Sequence, residues 1–326
     1  MTRKDSRYYI DGVLGRDRRI LAKTITLLES ARADHQELAR EVLDALLPHT
    51  GEAIRLGITG VPGVGKSTFI ESFGRHVIEQ GKTLAVLAID PSSRRSGGSV
   101  LADKTRMEQL SMNPAVYIRP SPAGTTLGGV ARKTRESMLV CEAAGFDVVI
   151  VETVGVGQSE TSVAGMVDCF LVLMLAGAGD EIQGIKKGLM ELADAVAINK
   201  ADGDNVQAAE RARREYLSAL HLLKPVSAAW SPPVLTCSAV TMQGIDTIWE
   251  TVLEHRSRLT ETGELQEKRR SQAVDWMWAV VEEGLREQFY AHAGVRESLP
   301  DVVAKVSRGE LAPGAAARVL LDACRK

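Results

Sequence analysis

The sequence predicts an α/β protein whose mostly parallel sheet of about seven strands is covered by helices, with helical extensions at both ends. Short apolar segments rich in β-branched residues alternate with segments of helical periodicity, which is typical of parallel sheets. The expected strands lie near residues 54–59, 84–89, 115–118, 147–152, 169–175, 194–198 and 234–237. A glycine-rich segment between the first strand and a helix near residues 67–80 is the second observation behind this prediction.

This segment fits G-x-x-x-x-G-K-[ST] at every fixed position, and it predicts a P-loop NTPase. Its glycines let backbone N–H groups turn toward a phosphate, and the following helix N-terminus adds partial positive charge. The lysine is expected to reach the β- and γ-phosphates, and the serine to ligate Mg²⁺. A glycine-rich turn in another α/β protein is the alternative, and the register of the three glycines, the lysine and the serine argues against it. The predicted phosphate-binding residues are Gly60, Val61, Pro62, Gly63, Val64, Gly65, Lys66, Ser67 and Thr68.

Acidic residues follow two other predicted strands, where side chains would lie beside the phosphates. The strand near 147–152 ends in Glu152. In P-loop proteins a carboxylate at the end of such a strand holds the metal, usually through water. Gly155, three residues on, is expected to donate its N–H to the γ-phosphate. The strand near 84–89 stops at Asp90 and leads into a long, small and polar loop, which favours a functional segment.

The tetrapeptide N-K-x-D after the sixth strand predicts specificity for guanine. Guanine presents an N1–H and an exocyclic amino group side by side, and the carboxylate of Asp202 can accept from both. Asn199 is expected to bond the other edge of the base or brace the phosphate loop, while Lys200 covers one face of the base. Ser238 and Ala239 follow the last strand and match the usual backbone contact to the guanine oxygen.

Composition excludes several classes of protein. The 326 residues are 44% hydrophobic and 25% charged, with a net charge of −2, so a general nucleic-acid or membrane-surface binder is not indicated. Neither a C-x-x-C pair nor a His/Cys cluster indicates a metal site. Apolar surroundings predict buried thiols at Cys141, Cys169 and Cys237 and a reducing compartment. Without a signal peptide or a membrane-spanning run, we expect a cytoplasmic protein.

Three regions are predicted along the chain: an N-terminal helical extension (1–50), a nucleotide-binding G domain (51–250) and a C-terminal helical extension (251–326). Two helices are expected in the first region, near residues 18–30 and from Asp34, whose side chain could cap the second. The charged run 261–270 predicts a solvated helix face. A following apolar stripe predicts a homodimer interface, and it contains Trp276, Met277, Val280, Val281 and Phe289.

With these motifs placed, the chain resembles the MeaB/ArgK-type G-proteins, the chaperones of adenosylcobalamin-dependent methylmalonyl-CoA mutase. The resemblance runs nearly end to end and includes D-P-S-S at 90–93, G-G-S-V-L-A-D-K-T-R-M at 97–107 and E-T-V-G-V-G-Q at 152–158. It implies a GTPase that gates adenosylcobalamin loading into the mutase and protects or reactivates that enzyme. It also implies that Asp90, Asp103 and Glu152 serve Mg²⁺ and hydrolysis, and that residues 176–187 form a switch answering to the mutase.

Two functional classes remain open from the residues themselves. One is a regulatory GTPase that converts GTP to GDP and phosphate and changes the state of a partner. The other is a kinase-type phosphotransferase that passes the γ-phosphate to a transport protein or a small substrate. A nickel metallochaperone of the same class is a third option, and the lack of clustered soft ligands near the loops speaks against it.

Overall fold

The computed structural model describes residues 4–89, 107–120, 127–153, 160–177, 188–222 and 227–325. These residues form one sheet in the order β3-β2-β4-β1-β5-β6-β7, and every neighbouring pair is parallel. The prediction of a mostly parallel sheet of about seven strands is therefore confirmed. The strands are β1 (Ile54–Gly60), β2 (Leu84–Ile89), β3 (Val116–Arg119), β4 (Val148–Thr153), β5 (Cys169–Leu175), β6 (Ala195–Asn199) and β7 (Val234–Thr236).

Helices precede, connect and follow the strands. Within the described ranges they are α1 (Ser6–Leu14), α2 (Arg18–Glu29), α3 (Ala33–Leu46), α4 (Lys66–Glu79), α5 (Glu108–Met112), α6 (Leu127–Ala143), α7 (Glu160–Ala164), α8 (Val206–His221), α9 (Ile245–Glu261), α10 (Glu264–Ala291), α11 (Ala293–Ser307) and α12 (Pro313–Ala323). Single turns of 3-10 helix lie at Leu47–His49 and Gly203–Asn205. In the part of the chain that is described, no helix is long and apolar enough to span a membrane.

Alternate residues of the strands face two separate hydrophobic cores, which is why the strands read as almost continuous apolar runs. One core joins side chains such as Leu87 and Val149 to buried residues of α2, α3, α6 and α8. The other joins Leu56 and Ile58 to α4 and α9. The N-terminal helices therefore share a core with the sheet. The predicted thiol burial is confirmed, because Cys141, Cys169 and Cys237 are all buried.

The N-terminal region contains three helices where two were predicted. The additional helix is α1, whose N-cap Asp5 accepts a hydrogen bond from the Tyr8 N–H at 3.1 Å. The expected cap at Asp34 is wrong, because α3 begins at Ala33 and Asp34 lies in its first turn. The carboxylate of Asp34 instead pairs with the guanidinium of Arg32 at 2.9 Å.

The chain divides into two compact units, Met1–Arg270 and Ser271–Lys326. The predicted boundaries at residues 50 and 250 stay predictions. In the first unit, α9 packs on α4 through an edge-on contact between Phe73 and Trp249, with ring centroids 5.9 Å apart. Helix α9 therefore covers the same face of the sheet as the helix that follows the glycine-rich segment.

The prediction of a solvated charged run at residues 261–270 is wrong for two of its members. Lys268 Nζ donates to the backbone oxygen of Asp168 at 2.6 Å and to Asp194 Oδ2 at 3.1 Å. Arg269 donates two hydrogen bonds of 2.7 Å to the Asp168 carboxylate and one of 2.8 Å to the Ala53 oxygen. Both cations thus bind acceptors that lie just before β1, β5 and β6, at the amino end of the sheet.

Candidate nucleotide-binding site

The glycine-rich segment lies at the carboxyl end of β1 and leads directly into α4. Gly63 and Gly65 have φ values of +77° and +87°, a left-handed conformation that disfavours any side chain. Gly65 caps α4, and the first helical hydrogen bond runs from Phe69 N to Gly65 O at 2.9 Å. The N–H groups of residues 66–68 therefore have no partner within the helix. A turn of this kind, ending on a helix N-terminus, suits a phosphate group.

Lys66 is half-buried beside this segment. Its Nζ donates to the backbone oxygen of Gly60 at 2.8 Å. Burial lowers the pKa of Lys66, and the carboxylates of Glu152 and Glu160 act in the opposite direction. A bound phosphate would give the ammonium a charged partner in place of a neutral carbonyl oxygen.

The candidate metal donors are oxygen atoms on two adjacent elements. Glu152 lies near the carboxyl end of β4, with Ile58 of β1 and Ala88 of β2 as its neighbours in the sheet. Ser67 lies in the first turn of α4. Hydroxyl and carboxylate oxygens suit Mg²⁺, which usually takes one or two protein ligands and completes its shell with water and phosphate oxygens. The described residues therefore fit the metal by donor type.

Several predicted site residues lie outside the described residues. They are Asp90, Asp103 and Gly155, together with the loop at 92–99 and residues 178–187. Among the residues that are described, no group of three or more His, Cys, Asp or Glu side chains could hold a metal ion. The metal-binding roles of Asp90 and Asp103 consequently stay predictions.

Asn199 connects the N-K-x-D tetrapeptide to the glycine-rich segment. Its Nδ2 donates to the backbone oxygen of Val64 at 2.8 Å, between residues 135 positions apart. Its Oδ1 accepts from the Ala239 N–H at 3.2 Å and from the Cys237 thiol at 3.6 Å. Burial raises the pKa of Cys237 to about 12, so this thiol keeps its proton and can donate. One buried amide thus holds the connections after β1, β6 and β7 together.

The other residues of this tetrapeptide lie around the same connections. Lys200 has a left-handed φ of 60°, and its Nζ donates to the Gly63 oxygen at 2.9 Å. The carboxylate of Asp202 accepts a hydrogen bond from the Ser238 hydroxyl. That hydroxyl oxygen also accepts from the Thr241 N–H at 3.2 Å. The N-K-x-D tetrapeptide and residues 238–239 therefore form one hydrogen-bonded cluster beside the glycine-rich segment.

Two contacts near the site involve residues that the motifs do not contain. Thr153, the last residue of β4, donates through Oγ1 to Thr59 Oγ1 at 2.6 Å, and both hydroxyls are buried. Ser72 of α4 donates to the backbone oxygen of Ala239 at 2.5 Å. The sequence shows each of these residues only as a polar residue within an apolar pattern. That signal does not predict which residue it contacts.

A family model and several related proteins identify the class of protein. The model described as "Methylmalonyl Co-A mutase-associated GTPase MeaB" matches residues 21–294. A "Putative GTPase" of Caulobacter vibrioides is 58% identical over 307 residues, which cover 94% of each chain. The "GTPase ArgK" of Escherichia coli is 49% identical over 306 residues, or 94% of this chain and 92% of the relative.

A mammalian relative and a solved structure extend these likenesses. The "Methylmalonic aciduria type A homolog, mitochondrial" of Mus musculus is 47% identical over 322 residues, covering 96% of this chain and 78% of the relative. The structure described as "Crystal structure of LAO/AO transport system kinase" is 41% identical with a TM-score of 0.78 and covers 100% of both chains. The resemblance inferred from the motifs is therefore confirmed, and the chain belongs to the MeaB family of P-loop GTPases.

Proposed function

We propose that this protein binds GTP with Mg²⁺ and hydrolyses it to GDP and phosphate at the site described above. The observation that carries the proposal is the position of Asn199, whose amide holds both the Val64 oxygen and the Ala239 N–H. This arrangement supports base recognition by the residues after β6 and β7, beside phosphate binding by the glycine-rich segment. The Asp202 carboxylate would then accept from the two adjacent donors of guanine, which adenine lacks.

Different residues of the chain would have separate roles in hydrolysis. Lys66 would neutralise charge that develops between the β- and γ-phosphates, and the N–H groups at the start of α4 would hold the phosphate oxygens. Ser67 and Glu152, with Asp90 and Asp103, would hold Mg²⁺. The metal supplies positive charge to the phosphate oxygens when it is bound. Gly155 would donate its N–H to the γ-phosphate.

We further propose that the nucleotide state gates adenosylcobalamin loading into methylmalonyl-CoA mutase and protects or reactivates that enzyme. The support is the family description, which names a mutase-associated GTPase, and the mammalian relative named for methylmalonic aciduria. The protein would act in the cytoplasm as a homodimer, with no nucleic acid or membrane as partner. The loop at 176–187 would respond to the mutase.

A phosphotransferase is the second candidate, and the relative described as a transport system kinase favours it. Phosphate release from GTP with no acceptor present separates the two functions, because a phosphotransferase needs an acceptor and a GTPase needs only water. The same assay is run with purified mutase, and mutase binding is measured with GDP and with a non-hydrolysable GTP analogue.

Linkage fixes the expected result of the mutase experiment. If the mutase changes the affinity for GTP, GTP must change the affinity for the mutase by the same factor. The chaperone role would be rejected if the rate of GTP hydrolysis is the same with and without the mutase and the affinity for the mutase is the same with GDP and with the GTP analogue. Transfer of phosphate to an added protein or small acceptor, with none released to water, would favour the phosphotransferase.

A further inference from the structure

Ser72 makes a hydrogen bond that an ordinary helix serine does not make. It lies in the second turn of α4 and is buried, and its Oγ donates to Ala239 O, 167 residues further along the chain. A serine inside a helix commonly bonds the carbonyl four residues earlier in its own helix. Ser137 of α6 does so, donating to Lys133 O at 2.8 Å. The Ser72 hydroxyl instead connects the helix of the phosphate site to the connection after β7.

This connection is fixed at its two ends by other contacts. At its start, Cys237 N donates to Ile198 O at 2.9 Å, which keeps it beside β6. It is closed by a hydrogen bond of 2.9 Å from Ser238 N to Gln243 O. Between these points, the backbone oxygen of Ala239 is held by Ser72, at a distance of 2.5 Å.

The bond from Ser72 also sets the direction of a neighbouring N–H group. A trans peptide is planar, so its C=O and N–H point in opposite directions. Because the Ala239 carbonyl points at α4, the N–H of Val240 points away from that helix. Among the described residues this N–H meets no acceptor, whereas the Ala239 N–H is donated to Asn199. Val240 is 79% exposed, so this part of the connection lies at the protein surface.

We propose that Ser72 is a positioning residue for base recognition, and the inference rests on the proposed binding of GTP. It orients the Ala239–Val240 peptide so that the Val240 N–H donates to the 6-oxygen of guanine, while Asp202 accepts from the N1–H and the amino group. Adenine carries an amino donor at position 6, which would face the N–H donor and be rejected. Ser72 therefore contributes to nucleotide choice from outside the recognised motifs.

The test compares two nucleotides on matched variants. GTP carries the 6-oxygen, whereas 2-aminopurine riboside triphosphate lacks both the 6-oxygen and the N1–H and keeps the 2-amino group. Each variant is therefore compared with the parent on the same nucleotide. Dissociation constants with Mg²⁺ are measured by equilibrium dialysis for the parent, Ser72→Ala, Ser72→Cys and the control Ser137→Ala. Ser137→Ala removes a buried hydroxyl of similar exposure whose bond lies within its own helix.

We expect Ser72→Ala to weaken GTP binding about three- to tenfold, the usual effect of one buried neutral hydrogen bond. Its affinity for 2-aminopurine riboside triphosphate stays within about twofold of the parent's, because that base offers no acceptor to the N–H. Ser72→Cys keeps a weak donor, so its affinity for GTP should lie between those of the parent and Ser72→Ala. Ser137→Ala should bind both nucleotides as the parent does.

Two results would overturn the inference while leaving GTP binding established. One is a loss of the same factor for both nucleotides in Ser72→Ala, which would show a structural role alone. The other is unchanged GTP affinity in that variant. A parent protein that binds GTP no better than ATP would overturn the proposed function, and this inference with it.

Discussion

Replacing Arg269 by Met should strongly destabilise the first compact unit. The guanidinium donates to both oxygens of the Asp168 carboxylate at 2.7 Å, to Ala53 O at 2.8 Å, and to Gly51 O. Methionine keeps the apolar stem of the side chain and removes all four hydrogen bonds. The variant therefore reports on the charge and its bonds more than on packing.

The magnitude follows from the burial of the pair. The side chains of Arg269 and Asp168 are 17% and 2% exposed, so removal of the cation leaves a buried carboxylate. Its remaining hydrogen bond comes from the Arg55 N–H at 2.9 Å. Removing one partner of a buried ion pair costs about 3–5 kcal/mol of unfolding free energy. At about 2–4 °C per kcal/mol, the thermal midpoint should fall by roughly 6–20 °C.

The assay is denaturant unfolding followed by far-ultraviolet circular dichroism, with Arg270→Met as the matched control. Arg270 is the next residue of the same helix, but its side chain is 71% exposed and pairs with Glu267. We expect the control to change the unfolding free energy by less than about 0.5 kcal/mol. If the two variants unfold at the same denaturant concentration, the buried ion pair does not stabilise the fold as argued.

Four further predictions concern nucleotide choice, turnover, assembly and acid stability. Asp202→Asn should weaken GTP binding at least about tenfold and strengthen binding of xanthosine triphosphate; equal GTP affinity contradicts the guanine assignment. Lys66→Ala should abolish phosphate release while its circular dichroism spectrum stays unchanged; near-normal turnover with saturating Mg²⁺ contradicts the assigned role. Met277, 51% exposed in α10, should lie in a dimer interface, so Met277→Glu should give a monomer by light scattering and Leu321→Glu, 54% exposed in α12, a dimer; a monomeric parent contradicts this. The pKa of Asp194 is lowered in the folded protein because nearby cations outweigh burial, which raises it. Its stabilisation is present above the unfolded-state pKa of about 4 and is lost as pH falls through the folded-state value. Asp194→Asn should therefore flatten the acid loss of unfolding free energy, and a variant as acid-sensitive as the parent contradicts this.

The parts of this fold that the sequence predicts well are those whose physical cause is local. A strand buried on both faces is apolar along most of its length, so Val148–Thr153 and Cys169–Leu175 are visible as short apolar runs. The turn at the glycine-rich segment is equally easy to predict from the sequence, because the left-handed backbone at Gly63 and Gly65 favours glycine. The placement of Asn199 against Val64 needed only the rule that parallel strands end at one edge.

Features that depend on distant partners could not be predicted in the same way. Lys268 and Arg269 look like any two cations of a solvated helix, since their acceptors near Asp168 lie about 100 residues earlier. Ser72 resembles an ordinary helix serine for the same reason. The predicted cap of α3 is wrong because the Asp34 carboxylate pairs with Arg32, whereas the capping rule assigns that carboxylate to the backbone.

The hydrogen bonds already present in the candidate site indicate which residues should contribute most to nucleotide affinity. Binding replaces existing partners, so each contact contributes the difference between the new bond and the old one. Lys66 donates to a neutral carbonyl oxygen, and Asp202 accepts from a neutral hydroxyl. A phosphate would give Lys66 a charged partner, and guanine would give Asp202 two donors in place of one. Asn199 gains nothing comparable, because its amide is already bonded to both loops at 2.8 and 3.2 Å. Its substitution should instead weaken the contacts of Lys66 and Asp202 together, because it holds the phosphate and base ends of the site in one geometry.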